Sequence, residues 1–228
     1  MPCAGVGSRS GARQPKQYAQ VAGQPLVAHT LAAFAGVPDI ARVVVVLAPD
    51  DAAWPVAPGA YELIHQGGDS RAASVRAGLA HLLASGASAQ DWVMVHDAAR
   101  CLLRPVDVKR LMDACIADGQ GGLLALPLPD TLKQADAQGR VAQTLSRSDK
   151  WLAQTPQMFR LQALLDALLD ALSGDLDGIT DEASAMERAG VAPLLVAGPS
   201  MNIKVTYPED FALADAVLRS RVDQGAQT

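Results

Sequence analysis

Residues Val43–Ala48 read VVVVLA. Four consecutive β-branched side chains favour extended backbone, and no polar residue alternates with them. A strand apolar on both faces belongs inside a sheet covered by helices on both sides, the setting of parallel strands. Outward from this run, Tyr61–His65, Trp92–His96 (WVMVH) and Gly122–Leu128 (GLLALPL) read as further strands, with weaker ones at Pro193–Ala197 and Asn202–Thr206. Helical patterns lie between them at Gln24–Ala35, Ser70–Ala84, Pro105–Ala117, Leu161–Leu172, Thr180–Ala189 and Pro208–Val222. Thr180–Asp181–Glu182 places a capping residue and acids at a helix start, and Pro208–Glu209–Asp210 does the same with proline in the first turn. The alternation predicts an α/β fold, a Rossmann-like, mostly parallel sheet with helices on both faces, in one domain over 1–228. Ligands in such sheets bind beyond the carboxyl ends of the strands.

One stretch breaks the rhythm. Residues 129–154 are polar, and Asp136–Gly139 (DAQG) forms a turn between TLKQA and RVAQTL. This reads as a protruding β-hairpin, which needs something to pack on, a second subunit being the natural partner.

Half of the 228 residues are hydrophobic, 19% are charged and the net charge is -5. That balance describes a globular chain and argues against broad nucleic-acid or anionic-membrane surfaces, so any cationic site is local. The apolar runs are too short to span a bilayer, and no secretory leader pattern opens the chain, which points to a cytoplasmic protein. Cys3, Cys101 and Cys115 are odd in number and lack metal-ligand spacing, as expected of reduced thiols.

The chain opens MPCAGVGSRSGARQPKQY, with Arg9, Arg13 and Lys16 set among Gly5, Gly7 and Gly11. The glycine spacing is wrong for a dinucleotide fingerprint, and Pro15 interrupts the helix such a loop must start. That weighs against an NAD-dependent oxidoreductase. No G-K-[ST] follows, so it is not a P-loop either. Backbone N–H groups and three cations within eight residues of an acidic chain suit a polyphosphate. A plain surface loop is the competing reading, and phosphate binding stands modestly ahead of it.

The order P-x-A-G-x-G-x-R, then P-K-Q-Y, resembles the sugar-phosphate nucleotidyltransferases. Within them the chain resembles the 2-C-methyl-D-erythritol 4-phosphate cytidylyltransferase family. The motifs that carry this are GGDSRAASVRAGL (Gly67–Leu79), VHDAAR (Val95–Arg100), DTLK (Asp130–Lys133), QTPQ (Gln154–Gln157), TDEAS (Thr180–Ser184) and NIKVT (Asn202–Thr206) with Pro208–Glu209–Asp210. They occur in order over essentially the whole chain. The resemblance implies transfer of the cytidylyl group of CTP to methylerythritol phosphate, releasing pyrophosphate, in isoprenoid precursor biosynthesis. The attacking phosphate oxygen is already ionised, so the difficulty is electrostatic and catalysis rests on positioning and fixed positive charge.

By the same resemblance, Arg9 and Lys16 stabilise charge, and Ala4 and Gly5 belong to their nucleotide-binding loop. Gly67, Gly68, Asp69 and Ser74 read cytosine, with Asp69 or Ser70 also able to cap the following helix. Arg71 reaches the phosphates or faces solvent. Asp97 and Arg100 line the site; Asp97 is a weak candidate ligand for Mg²⁺, which CTP itself mainly holds. Thr131, Arg147 and Thr155 bind methylerythritol phosphate, and Lys204, near the end of the NIKVT strand, positions its phosphate. The hairpin arm crosses to a partner subunit, which implies a homodimer whose Thr131 and Arg147 complete the neighbour's site. His96 reads as structural, and Arg13 as solvated. A related enzyme for a pentitol phosphate such as ribitol 5-phosphate, and a non-catalytic nucleotide-binding protein, are the alternatives.

Three departures from the family pattern bear on the site. A hydrophobic strand usually precedes P-A-A-G, and it is missing here, so the natural protein is expected to start upstream. Cys3 replaces a small alanine and puts a thiol beside the nucleotide, while Cys101 replaces a common proline and loosens its loop.

Overall fold

The computed structural model describes residues 1–5, 15–173 and 179–225. A 3-10 turn at Lys16–Tyr18 leads into a short antiparallel ribbon, β1 (Gln20–Val21) with β2 (Gln24–Pro25). Ala22 and Gly23 make its turn with positive φ, so the first helix, α1, begins at Leu26 rather than Gln24 and runs to Ala35. There follow β3 (Val44–Val46), β4 (Glu62–Ile64), α2 (Arg71–Ala84), β5 (Trp92–Val95), α3 (Pro105–Asp118) and β6 (Gly122–Pro127). An exposed hairpin, β7 (Leu132–Ala135) and β8 (Val141–Leu145), separates β6 from β9 (Trp151–Arg160). The chain continues through α4 (Leu161–Ser173), α5 (Glu182–Arg188), β10 (Leu194–Ala197) and α6 (Pro208–Gly225).

The sheet is mostly parallel. β3 pairs with β4 in parallel, and β10 with β6 in parallel. β9 runs antiparallel to both β6 and β5, which makes those two parallel to each other. The order of this four-stranded part is β10-β6-β9-β5. Val44, Val45 and Val46 are all buried, as a strand covered on both faces requires. On one side, α2, α4 and α5 pack Val75, Leu79, Leu164, Leu168 and Met186 against Val95, Leu123 and Phe159. On the other, α1 and α3 pack Phe34, Val108, Leu111 and Met112 against Leu124 and Met158.

Two sequence expectations fail for physical reasons. Asn202–Thr206 is not a strand: it forms no ladder and is tied by a turn from Asn202 N–H to Pro199 O and by one bond from Val205 N–H to Ala99 O. β9 is absent from the expected strands; Pro156 sits inside it, and proline cannot donate to a ladder. The structure places that proline where the β6 pairing shifts register, between Leu123 and Ala125. The interruption frees the backbone around Gln154–Pro156 to bend. Gln157, 1% exposed, then reaches out of the strand to α5: its Nε2 donates to Asp181 at 2.8 Å and its Oε1 accepts from Ala183 N–H at 2.7 Å.

The hairpin arm is solvated along most of its length. Asp136 Oδ1 accepts from Gln138 N–H and Arg140 N–H, which shapes its turn. Val141, Trp151 and Leu152 are exposed there or at its base.

Candidate active site

The carboxyl ends of β3, β4, β5 and β10 open on one side of the sheet, and the polar motifs follow them there. After β5 the chain turns at Asp97, whose carboxylate is 10% exposed. Arg71, the first residue of α2, donates from Nε to Asp97 Oδ1 at 2.9 Å. Lys204 Nζ lies 2.9 Å from Asp97 Oδ2, and Arg100 Nε lies 3.8 Å from the same oxygen. Burial alone would push the Asp97 carboxyl up, but Arg71 and Lys204 outweigh it and hold the group well below the usual carboxylate range. Asp97 is thus a buried anion facing three cations.

Arg71 neither points to solvent nor stands open to a ligand. Its outer nitrogens fork onto Glu182, at 2.6 and 3.0 Å. Glu182 is 1% exposed; burial pushes its carboxyl up against the pull of the Arg71 guanidinium. Sequence reasoning took Glu182 for an ordinary first-turn acid. The helix cap is Asp181, in a reciprocal arrangement with Ser184, and nothing in the sequence marks its neighbour as the partner of a residue 111 positions away.

A chain of hydrogen bonds runs behind Asp97. Asp97 N–H donates to Thr155 Oγ1 at 3.0 Å, Thr155 pairs with His96 Nδ1 at 3.0 Å, and His96 Nε2 meets Arg100 O at 3.3 Å. A carbonyl only accepts, so the proton sits on Nε2 and Thr155 donates to Nδ1. Burial pushes His96 down to about 3, which keeps it neutral. Asn202 Nδ2 donates to Thr155 O at 2.8 Å and to Gln154 Oε1 at 3.2 Å, stapling the segment that carries Lys204 to β9. Arg100 Nη1 completes the staple at Asn202 O, 2.6 Å away.

The amino-terminal loop reaches the same place. Lys16 Nζ donates to Val205 O at 2.8 Å, next to Lys204. Gln17 Nε2 holds the loop's first residues through Cys3 O and Gly5 O. Gly67 packs so closely that a Cβ would lie 2.3 Å from the Ala4 side chain and 2.6 Å from Leu47 O, and one on Gly68 would lie 2.6 Å from Ala73. Glycine is required at this turn by close approach. Ser74 is buried and its hydroxyl accepts from Gly68 N–H at 3.1 Å. Ser70, not Asp69, caps α2, accepting from Ala73 N–H, and Asp69 is exposed.

The structure therefore brings Lys16, Ala4, Gly67, Gly68, Ser74, Asp97, Arg100, Thr155 and Lys204 to one edge. Thr155 is 4% exposed and its hydroxyl is already engaged by Asp97 and His96. Thr131 and Arg147 stay on the exposed arm, where Arg147 donates to Pro129 O; among the described residues neither is bonded to the Asp97 cluster. Arg9 and Arg13 lie outside the described residues. Cys3 does not face a ligand space: it packs with Tyr18, Val27 and Val45, and burial pushes its thiol up to about 12. Cys101 is buried against Val21, Leu26 and Val205, so its loop is packed rather than loosened.

Among the described residues no three His, Cys, Asp or Glu side chains converge as a metal site. Glu182 has both oxygens on Arg71, and Asp97 has Oδ1 on Arg71 and Oδ2 on Lys204, so Asp97 could reach a metal only by exchanging one of these partners. A single carboxylate fits Mg²⁺ that arrives with phosphate and water ligands, not a cage built by protein.

Cations gathered at the carboxyl edge of a mostly parallel sheet, beside a glycine turn built for close approach, suit a phosphate-bearing ligand, and comparison with known proteins places the chain among the nucleotidyltransferases. The family model described as 2-C-methyl-D-erythritol 4-phosphate cytidylyltransferase (IspD) matches residues 1–220, and the chain belongs to that family. The 2-C-methyl-D-erythritol 4-phosphate cytidylyltransferase of Laribacter hongkongensis is 54% identical over 226 residues, which cover 96% of this chain and 94% of that protein. The bifunctional enzyme IspD/IspF of Albidiferax ferrireducens is 59% identical over 224 residues; the match covers 97% of this chain and 52% of the longer protein. Among solved structures, the 2-C-methyl-D-erythritol 4-phosphate cytidylyltransferase of Francisella tularensis superposes with a TM-score of 0.80 at 32% identity, covering 94% of this chain and 95% of that one.

Two outcomes test the electrostatics. Unfolded His96 takes up a proton near pH 6.5, whereas folded His96 stays neutral down to about 3. Its contribution to stability is thus full above about pH 6.5 and is lost as pH falls towards 3. In urea unfolding, the stability gap between the parent chain and His96→Gln should be about 2 kcal/mol larger at pH 7.5 than at pH 5.0. Glu182→Leu, which takes the partner from the two outer nitrogens of Arg71, should cost roughly 3–5 kcal/mol, and Glu182→Gln, still an acceptor, clearly less.

Proposed function

We propose that the chain transfers the cytidylyl group of CTP to 2-C-methyl-D-erythritol 4-phosphate, giving 4-diphosphocytidyl-2-C-methyl-D-erythritol and pyrophosphate. The observation that carries this reading is the meeting of Lys204, Arg71 and Arg100 around Asp97, with Lys16 bonded at Val205 next to Lys204 and the Gly67–Gly68 turn at the same edge. In the reaction a phosphate oxygen of the alcohol substrate forms a bond to the α-phosphorus of CTP. The bond from that phosphorus to the β-phosphate bridging oxygen breaks, and its electrons leave with pyrophosphate. No proton need be removed from the nucleophile, so the protein's work is to hold two anions in line and offset the charge that grows on the leaving group.

In this reading Lys16, with Arg9 on the same loop, faces the triphosphate as the stabiliser of that charge. Gly67, Gly68, Asp69 and Ser74, with Ala4 and Gly5, seat the nucleotide by backbone contact. Lys204 positions the phosphate of the second substrate, and Asp97 preorganises Lys204 and Arg71 before substrates arrive. Mg²⁺ held by the phosphates of CTP would supply further charge neutralisation, with Asp97 as the candidate protein ligand. Arg147, Thr131 and Thr155 contribute to the site of the alcohol substrate, the first two across a homodimer interface. Exposed Val141, Trp151 and Leu152 support an arm that packs on a partner. The chain acts in the cytoplasm.

Pyrophosphate release from CTP plus methylerythritol phosphate tests the activity, with ribitol 5-phosphate as the competing alcohol. Lys16→Ala and Arg9→Ala should each lower kcat/KM by roughly 100-fold or more, and Arg13→Ala by less than about threefold. Equal losses would undo the assignment. Mixing and refolding Lys16→Ala with Arg147→Ala should restore roughly a quarter of the parent activity, because half of the dimers are mixed and half of their sites are intact. No recovery would place Arg147 in its own subunit's site.

A further inference from the structure

Three consecutive side chains of the 3-10 turn reach three different segments. Lys16 Nζ donates to Val205 O, Gln17 Nε2 to Cys3 O and Gly5 O, and Tyr18 Oη to Asp51 Oδ2 at 2.5 Å. The first two sets of bonds belong to the candidate site. The third joins the turn to residues 47–61, which connect β3 to β4 and have no part in the proposed chemistry. We propose that Tyr18 and Asp51 are positioning residues, whose hydrogen bond fixes the Lys16 turn relative to the Gly67–Gly68 turn. The proposal rests on the cytidylyltransferase reading, in which Lys16 faces the triphosphate and the glycine turn seats the nucleotide.

One piece of chain ties the two turns together. Gly67 N–H donates to Leu47 O at 2.7 Å, and Leu47 N–H to Ile64 O at 2.9 Å, so the residue after β3 is bonded directly to the glycine turn. A few residues on, Asp51 N–H donates to Ala48 O at 3.2 Å, and Asp51 Oδ1 accepts from Ala53 N–H at 3.0 Å. The local backbone thus aims the carboxylate and leaves Oδ2 for Tyr18. Aromatic groups then fold the connection onto itself. Trp54 Nε1 donates to Tyr61 Oη at 3.1 Å, and the Tyr61 hydroxyl meets Ala57 O at 2.5 Å. The Trp54 ring packs edge-to-face on Tyr18, with centroids 5.8 Å apart and planes at 87°, and packs on Tyr61 at the same separation. A connection braced in this way can bear on the turn, which a solvated loop could not do. Tyr18 is buried; burial and the Asp51 carboxylate push its phenol up, so the hydroxyl stays a donor. A phenol donating to a carboxylate is a charge-assisted bond, short and directional. Removing that bond leaves the ring contacts in place and frees the orientation of the turn. CTP still binds through its other contacts, while Lys16 is displaced from the charge that grows in the transition state, so the loss falls on kcat.

The test is Tyr18→Phe, which keeps the ring against Trp54 and removes the hydroxyl. It should lower kcat about tenfold or more and leave KM for CTP within about twofold. In native-state hydrogen exchange, the amides of residue 18 and Ala19 should exchange at least about tenfold faster, a larger change than at Leu123 in β6. Asp51→Ala should act in the same way, and the double variant should be no worse than Asp51→Ala alone, because both remove one bond. In a Lys16→Ala background, Tyr18→Phe should lower the residual kcat by less than about twofold. Equal fold losses with and without Lys16, or a rise in exchange at residue 18 no greater than that at Leu123, overturns the proposal. A parent chain that releases no pyrophosphate marks failure of the proposed activity instead. The exchange comparison, which uses no catalysis, then decides by itself whether the Tyr18–Asp51 bond holds the turn.

Discussion

The carboxylate of Asp97 sits almost out of water between Arg71 and Lys204, and this ion cluster organises the elements around it. A buried charge is tolerated only when it is paired and hydrogen-bonded. Here the pairing draws on the start of α2, the turn after β5 and the irregular segment after β10. Glu182 extends it to α5 by taking the two remaining arms of Arg71. Each element could slide on an apolar core, which is non-directional. Ion pairs with fixed distances remove that freedom at the edge where the polar motifs collect.

β9 is the second constraint. Its antiparallel course between β5 and β6 lets one strand address both flanks of the site. Thr155 anchors Asp97 through its N–H, Gln154 and Thr155 receive Asn202, and Gln157 holds the start of α5. A strand with perfect pairing has no spare backbone for this. Pro156 breaks the ladder, and the side chains around it become struts. The neutral His96 behind them keeps the network free of a second buried charge next to Asp97.

Most elements were legible because their signals are local. VVVVLA reads as a buried strand from its own side chains, and Ser70, Asp181 and Pro208 mark helix starts within a few residues of the helices they open. The polar motifs stood out as turns after apolar runs, and Lys16, Asp97, Arg100 and Lys204 were picked from them. What escaped depends on contacts distant in sequence. Glu182 looked like a routine helix acid and Lys204 like a strand end. Cys3 looked like a thiol turned to a ligand, but its neighbours from the 3-10 turn, α1 and β3 enclose it in the core.

The amino-acid sequence by itself determined the periodicity of the strands and helices, the family, and the polar residues on offer, because these are properties of short segments and their order. Only the tertiary structure decided which charges meet. Arg71 could have faced solvent, and Asp97 could have been a turn carboxylate in water. Their partners lie 111 and 107 positions away, at Glu182 and Lys204, and no local rule reaches that far. Packing brings those segments within 3 Å, and the low dielectric there turns ordinary surface-type residues into a fixed electrostatic cluster.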